Sequence, residues 1–126
     1  MKLYQKLASL VSARLNCLAV RNTEWFDNHT AEIDRLVKEH LPSGSGFDNG
    51  TTIDFDKSHG NRLVLHTAFH HMNDSGMYDG WTDHTIRVDP ELTSGFTLKI
   101  TGRDRNDIKD YIAECVQHAL NVELSS

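Results

Sequence analysis

Two prolines and eight glycines among 126 residues are too few for a collagen-like or low-complexity chain. Two cysteines, Cys17 and Cys115, stand far apart in predicted helices, which reads as two buried thiols in a reducing compartment. No run of 18 apolar residues exists, so no transmembrane helix is expected. The first residues, MKLYQKLASLVSARLN, lack the unbroken apolar stretch and small-residue cleavage site of a signal peptide. There is no P-loop GKS/T, no HExxH, no CxxC and no HxH. No repeat of 20–50 residues appears. A chain of this length buries roughly two-thirds of its unfolded surface, so one domain over residues 1–126 needs neither a disulfide nor a metal to hold its core.

Positive charge is scarce in the middle. Residues 42–95 carry three Lys/Arg against eight Asp/Glu, whereas residues 1–41 carry six against five and residues 96–126 four against five. The acidic centre argues against wide, non-specific binding to nucleic-acid backbones. It leaves room for a small anion site built from a few arginines, or for a protein partner with a basic surface.

The hydrophobic pattern predicts an α+β fold. Leu3, Leu7, Leu10, Val11, Leu15 and Leu18 mark one helix, and its stripe widens at Cys17–Val20 enough to meet a second subunit. Asn22 or Thr23 caps a second helix with Glu24 in its first turn, and Leu41-Pro42 ends it. Residues 1–41 are thus expected to be helical. After the glycine-dense stretch 43–50 the period changes to 2. Strands are expected at Ile53–Phe55, 62–72, 81–88 and 96–101, forming a four-stranded antiparallel meander across 51–101. In the second strand Leu63, Leu65, Thr67, Phe69 and His71 share one face, and Val64, His66, Ala68 and His70 the other. Asn73–Gly76 is the expected hairpin turn, Pro90 a loop residue, and 104–122 a final amphipathic helix.

Several blocks carry a resemblance: Asn22-Thr23-Glu24-Trp25, Leu41–Asp48 (LPSGSGFD), Phe69–Met72 (FHHM), Tyr78–Thr85 (YDGWTDHT) and Gly102–Ile112 (GRDRNDIKDYI). Together they span Asn22 to Leu120, and the chain resembles a family of small proteins encoded by tailed bacteriophages and prophages. The resemblance implies a phage accessory role in the cytoplasm of the bacterial host and no particular reaction. At the level of helices framing a small antiparallel sheet, the chain is also similar to phage anti-defence proteins that sequester nucleotide immune signals.

Three segments carry candidate chemistry. In Gly102-Arg103-Asp104-Arg105-Asn106-Asp107, Asp104 or Asn106 can cap the last helix, and Arg103 and Arg105 can grip a phosphate or carboxylate beside the helix start. The same arginines could instead form surface pairs with Asp83, Asp104 or Asp107. In the 43–50 loop, Ser43 and Ser45 offer hydroxyls and Phe47 a ring, where glycines allow close backbone approach. It could also be a plain crossover from helix to sheet. Tyr78 and Trp81 can stack on a base or simply cover the sheet edge.

Eight histidines suggest a metal, but His66 and His70 lie about 13 Å apart along one strand face, too far for one ion. His66-Thr67 and His84-Thr85 are similar to the pairs of two-histidine phosphoesterases, yet Ala68 and Ile86 stand where those enzymes place Ser or Thr. No metal and no cofactor is expected. The expected function is binding, without catalysis, of a small anionic nucleotide-like ligand such as a host immune signal. The alternative is inhibition of a host defence protein by contact through an acidic surface, with a small metal-dependent hydrolase as the third possibility. The wide stripe of the first helix predicts a homo-oligomer.

Overall fold

Leu3, Leu7 and Val11 lie one helical turn apart and are almost fully buried, which fixes the face that the first helix turns to the core. The computed structural model describes residues 1–47, 50–102 and 106–125. Helix α1 spans Leu3–Ala19 and α2 spans Thr23–His40. Asn22 caps α2 by accepting the Trp25 backbone N–H at 3.2 Å, and Leu41 is already extended ahead of Pro42. Arg14 fastens α1 to α2 and to Phe55. Its guanidinium sits 4.2 Å from the centre of the Phe26 ring and 4.0 Å from that of Phe55, and its Nε donates to Thr30 at 2.7 Å.

Four strands complete the middle of the chain: β1 Thr51–Ile53, β2 Leu63–Met72, β3 Tyr78–Glu91 and β4 Gly95–Thr101. They pair antiparallel in the order β1-β2-β3-β4. Helix α3, Asn106–Leu120, closes the α+β fold. The inner face of the sheet, with Leu63, Leu65, Phe69, Ile86, Val88 and Phe96, joins the buried faces of all three helices in one hydrophobic core. The chain ends run side by side, with Leu3 N–H donating to Val122 and Leu124 N–H to Met1, both at 2.9 Å.

Three element boundaries differ from the sequence expectation. The first strand stops at Ile53, and Phe55 lies beyond it under Arg14. The third strand is longer at both ends than 81–88. At its start, the turn closes early because Asn73 Oδ1 takes the backbone N–H groups of Ser75 and Met77, at 2.9 and 3.1 Å. At its end Pro90 is paired with Phe96 and is not a loop residue. Glu91 accepts the N–H groups of Thr93 and Ser94 and so holds the next turn shut. The Ser94 hydroxyl, which also donates to this carboxylate, and then these backbone bonds push the Glu91 carboxyl down to about 2.

Candidate functional site: an aromatic trough on the solvent face of the sheet

β2 and β3 outrun their neighbours. β1 begins level with Thr67 and β4 ends level with Thr85, so the paired hairpin beyond Ala68 and Asp83 projects past both. A bulge between His70 and Met72 adjusts the register there. Past the bulge Met72 pairs with Tyr78, and the unbroken register from Leu63–Val88 sets His70 opposite Trp81 on the solvent face. Their ring centres are 6.1 Å apart, and His70 lies 5.5 Å from Tyr78. His70 Nδ1 is 3.1 Å from the Tyr78 hydroxyl. Tyr78 and Trp81 each keep 58% of their surface exposed.

Cross-strand rows behind these rings form a trough. Next to the His70–Trp81 pair stands the row of Ala68 and Asp83. The row after that crosses all four strands as Thr52, His66, Thr85 and Thr101. Together with Gly50 and Gly102 these residues line a depression of about 450 Å³. Its floor is low because Ala68 carries only a methyl group; the hydroxyl row follows on one side, and the His70–Trp81 row is the next one along the face on the other. One row further, Arg87 faces Lys99.

His66 is held between two oxygens. Its Nε2 lies 2.9 Å from Asp54 Oδ2 and its Nδ1 lies 3.1 Å from Thr85 Oγ1. The carboxylate demands an N–H on Nε2, so in the neutral ring Nδ1 accepts the Thr85 hydroxyl proton. The hydrogen bond with His66 holds the Asp54 carboxyl below the usual carboxylate range. A base, an orienting carboxylate and a hydroxyl are therefore in line. A nucleophile also needs donors for the oxyanion it creates. Thr85 lies in a strand paired on both sides, where the backbone N–H groups serve the ladders.

Below this surface, His84 is 2% exposed. Its Nε2 is 2.7 Å from Thr82 Oγ1. Burial pushes its imidazole pKa down, with Lys109 and His71 adding to the effect, while the Thr101 backbone and the Asp83 charge oppose it.

One residue from each of the two glycine-containing segments singled out in the sequence, Gly46 and Gly102, lies at this end of the sheet. The Gly46 carbonyl accepts the His70 N–H at 2.8 Å. On the other side of the hairpin Gly102 packs against His84 and the Asp83 backbone. Ser43 and Ser45 are exposed on the loop, Ser45 at a positive φ of 48°. Asn106 is exposed at the first position of α3. Phe47 does not offer a stacking face. It is 2% exposed, edge-on to Phe69 at 5.1 Å and stacked on Tyr111 at 6.0 Å, because the loop turns its one large apolar side chain into the core. Arg103, Asp104 and Arg105 lie outside the described residues, as do Asp48 and Asn49.

Among the described residues no three His, Cys, Asp or Glu side chains gather to hold a metal ion, and no helix is long and apolar enough to cross a membrane. A larger open groove of about 880 Å³ runs between α1 and the β3–β4 turn. Its charged lining is Lys2, bound to Asn121, and Glu123, bound to the N-terminal ammonium. Both of its rings, Tyr4 and Phe96, are buried. It lacks the exposed aromatic surface of the trough. No family model, curated protein or solved structure matches this chain.

Sequence reasoning singles out Tyr78 and Trp81, which the structure leaves exposed, and misses the trough. The alternation of β2 already sets Val64, His66, Ala68 and His70 on one face, which is the available signal. What it lacks is the cross-strand partner of each residue, which the three strand registers decide.

Proposed function

We propose that this protein is a phage accessory protein that binds a small nucleotide-like ligand on the solvent face of its sheet. The observation that carries the reading is the pair of exposed rings, Tyr78 and Trp81, held around His70 one row along the sheet face from a depression floored by Ala68. A ring already fixed by a strand stacks on a base with little further loss of freedom. Thr52, Thr85 and Thr101 supply hydroxyls for a sugar, with His66 holding the Thr85 hydroxyl in place. Arg87 and Lys99 lie farther along the same face. Trp81 and Arg87 are six residues apart on one strand, about 20 Å. That is beyond the reach of one nucleotide, so phosphate charge at Arg87 and Lys99 belongs to a ligand with two. The resemblance to tailed-phage proteins supports a bacterial host setting, and the fold-level likeness to phage anti-defence proteins supports a host immune signal as the ligand class.

The test is thermal denaturation with a panel of linear and cyclic mono- and dinucleotides. A ligand at 100 times its Kd adds about 2.7 kcal/mol to stability, which raises the midpoint by roughly 10 °C. An unchanged midpoint across the panel overturns the reading.

One observation favours a second reading, contact with a basic protein surface. Met72 and Met77 are 66% and 68% exposed beside the same rings. The chain from Leu63 to Ile86 holds three aspartates and no lysine or arginine. Exposed methionines adapt to varied partners, and the acidic rim suits a cationic one. Co-purification of a basic host protein that is lost on Met72→Glu, with no nucleotide response, would establish it in place of the first.

A further inference from the structure

We infer that the trough selects guanine among the bases, and that Asp83 is the residue that reads it. The inference rests on the nucleotide reading and adds the identity of the base.

Asp83 shares the row of Ala68, the floor of the trough, and stands two residues, about 7 Å, from Trp81 along the same strand face. A flat ring resting over Ala68 and stacked on Trp81 therefore meets Asp83 at its edge and not on its face. The Asp83 side chain is exposed and makes no hydrogen bond or ion pair with any described residue. Asp54, the carboxylate beyond His66, is already committed to that imidazole at 2.9 Å. Asp83 is thus the trough-lining carboxylate that no described residue hydrogen-bonds.

An ionised carboxylate only accepts hydrogen bonds. Guanine presents two donors side by side on its pairing edge, the ring N1–H and the N2 amine, which match two carboxylate oxygens. Adenine and cytosine each present one amine next to a ring nitrogen lone pair. Uracil presents one N–H between two carbonyls. Each of these sets an acceptor against a carboxylate oxygen, and an unmatched acceptor facing a negative charge costs affinity. Arg87 and Lys99 lie two rows away and do not neutralise Asp83. The discrimination therefore comes from the edge of the base and not from its phosphate.

The experiment is calorimetric titration of the full chain with the 5′-monophosphates of guanosine, inosine, adenosine, cytidine and uridine. The guanosine nucleotide is expected to bind at least tenfold more tightly than the other four. Inosine, which keeps N1–H and lacks the N2 amine, is the closest of these to guanosine. Asp83→Asn exchanges one acceptor for a donor and is expected to bring the guanosine-to-adenosine ratio near one while the folded circular dichroism is kept, since the side chain is exposed and no described residue hydrogen-bonds it. If guanosine and adenosine nucleotides bind wild type equally, or if Asp83→Asn keeps the guanosine preference, Asp83 does not read the base, although the trough remains a nucleotide site. If no nucleotide binds, the nucleotide reading falls and this inference falls with it.

Discussion

The Gly46 carbonyl and the His70 backbone N–H are joined by a 2.8 Å hydrogen bond. That bond makes the glycine turn an extension of the sheet edge where β1 has not yet begun. It also fixes the strand segment that carries the imidazole between Tyr78 and Trp81.

Gly46→Ala should therefore loosen the rim of the trough as well as the fold. Gly46 sits at φ +103°, and a Cβ there would stand 2.6 Å from Phe69 Cζ and 2.7 Å from Cε2. The Phe69 ring cannot swing aside, being flanked by Phe47 and Tyr111 at 5.1 and 5.7 Å. The expected loss is more than about 1 kcal/mol, read as a lower urea midpoint at unchanged slope. A midpoint equal to wild type would show that the turn bears no such constraint.

Trp81→Thr separates stacking from folding. Threonine keeps the strand preference, and an exposed ring contributes little to the core. Ligand affinity should fall by about 5- to 150-fold, the equivalent of roughly 1–3 kcal/mol for a base–aromatic stack, while circular dichroism stays the same. Unchanged affinity would remove Trp81 from the site.

Phe47→Ala should show the reverse. Truncating a buried phenylalanine costs about 3–5 kcal/mol, and the loss should appear in thermal unfolding. Affinity measured on the fraction still folded should match wild type. A large affinity loss at intact stability would return Phe47 to the ligand.

The stability of the fold should fall in mild acid through His84. Its folded pKa lies below the ordinary 6.5 because the ring is buried. Below pH 6.5 the unfolded chain therefore takes up a proton that the folded chain refuses. The stabilisation is present in full above that value and is lost as pH falls toward the lowered folded value. His84→Gln keeps a group to meet Thr82 and removes the titration. The midpoint drop between pH 8 and 5.5 should be smaller in the variant, and equal drops would assign the effect elsewhere.

Self-association is expected at the end of α1, where Leu18 and Val20 are 58% and 74% exposed. Light scattering at micromolar concentration should give a multiple of 14.3 kDa, and Leu18→Glu should return the single mass. A single mass in the wild type would leave these side chains as ordinary surface.

Periodicity is enough for the architecture because each element carries its own signal. The leucines of α1, the Asn22 cap and the alternation through Leu63–Phe69 are local, and packing agrees with each of them. The trough depends on relations that no local signal carries. Thr52, His66, Thr85 and Thr101 are spread over 50 positions and become a row only once three registers are set. The Asp54–His66–Thr85 contacts arise in the same way. Phe47 reads as a ligand ring in the sequence because glycine-rich surroundings suggest exposure, whereas the loop here delivers its side chain to Phe69 and Tyr111. Arg103 and Arg105 lie outside the described residues, so their part rests on the sequence alone.

The bulge between His70 and Met72 has a genetic corollary. Surface turns usually accept small insertions and deletions, and Asp74–Gly76 has the look of such a place. Here the count of residues around the turn determines which side of the ribbon each later side chain occupies. One residue more or fewer would offer Thr82 and His84 to water and press Trp81 and Asp83 against the helices. Substitutions at Asp74 or Ser75 should pass unnoticed, while a single-codon insertion or deletion should be selected against as strongly as damage to the core. Scanning both kinds of change across this turn in a protein-abundance screen would show the contrast, and equal tolerance would refute it.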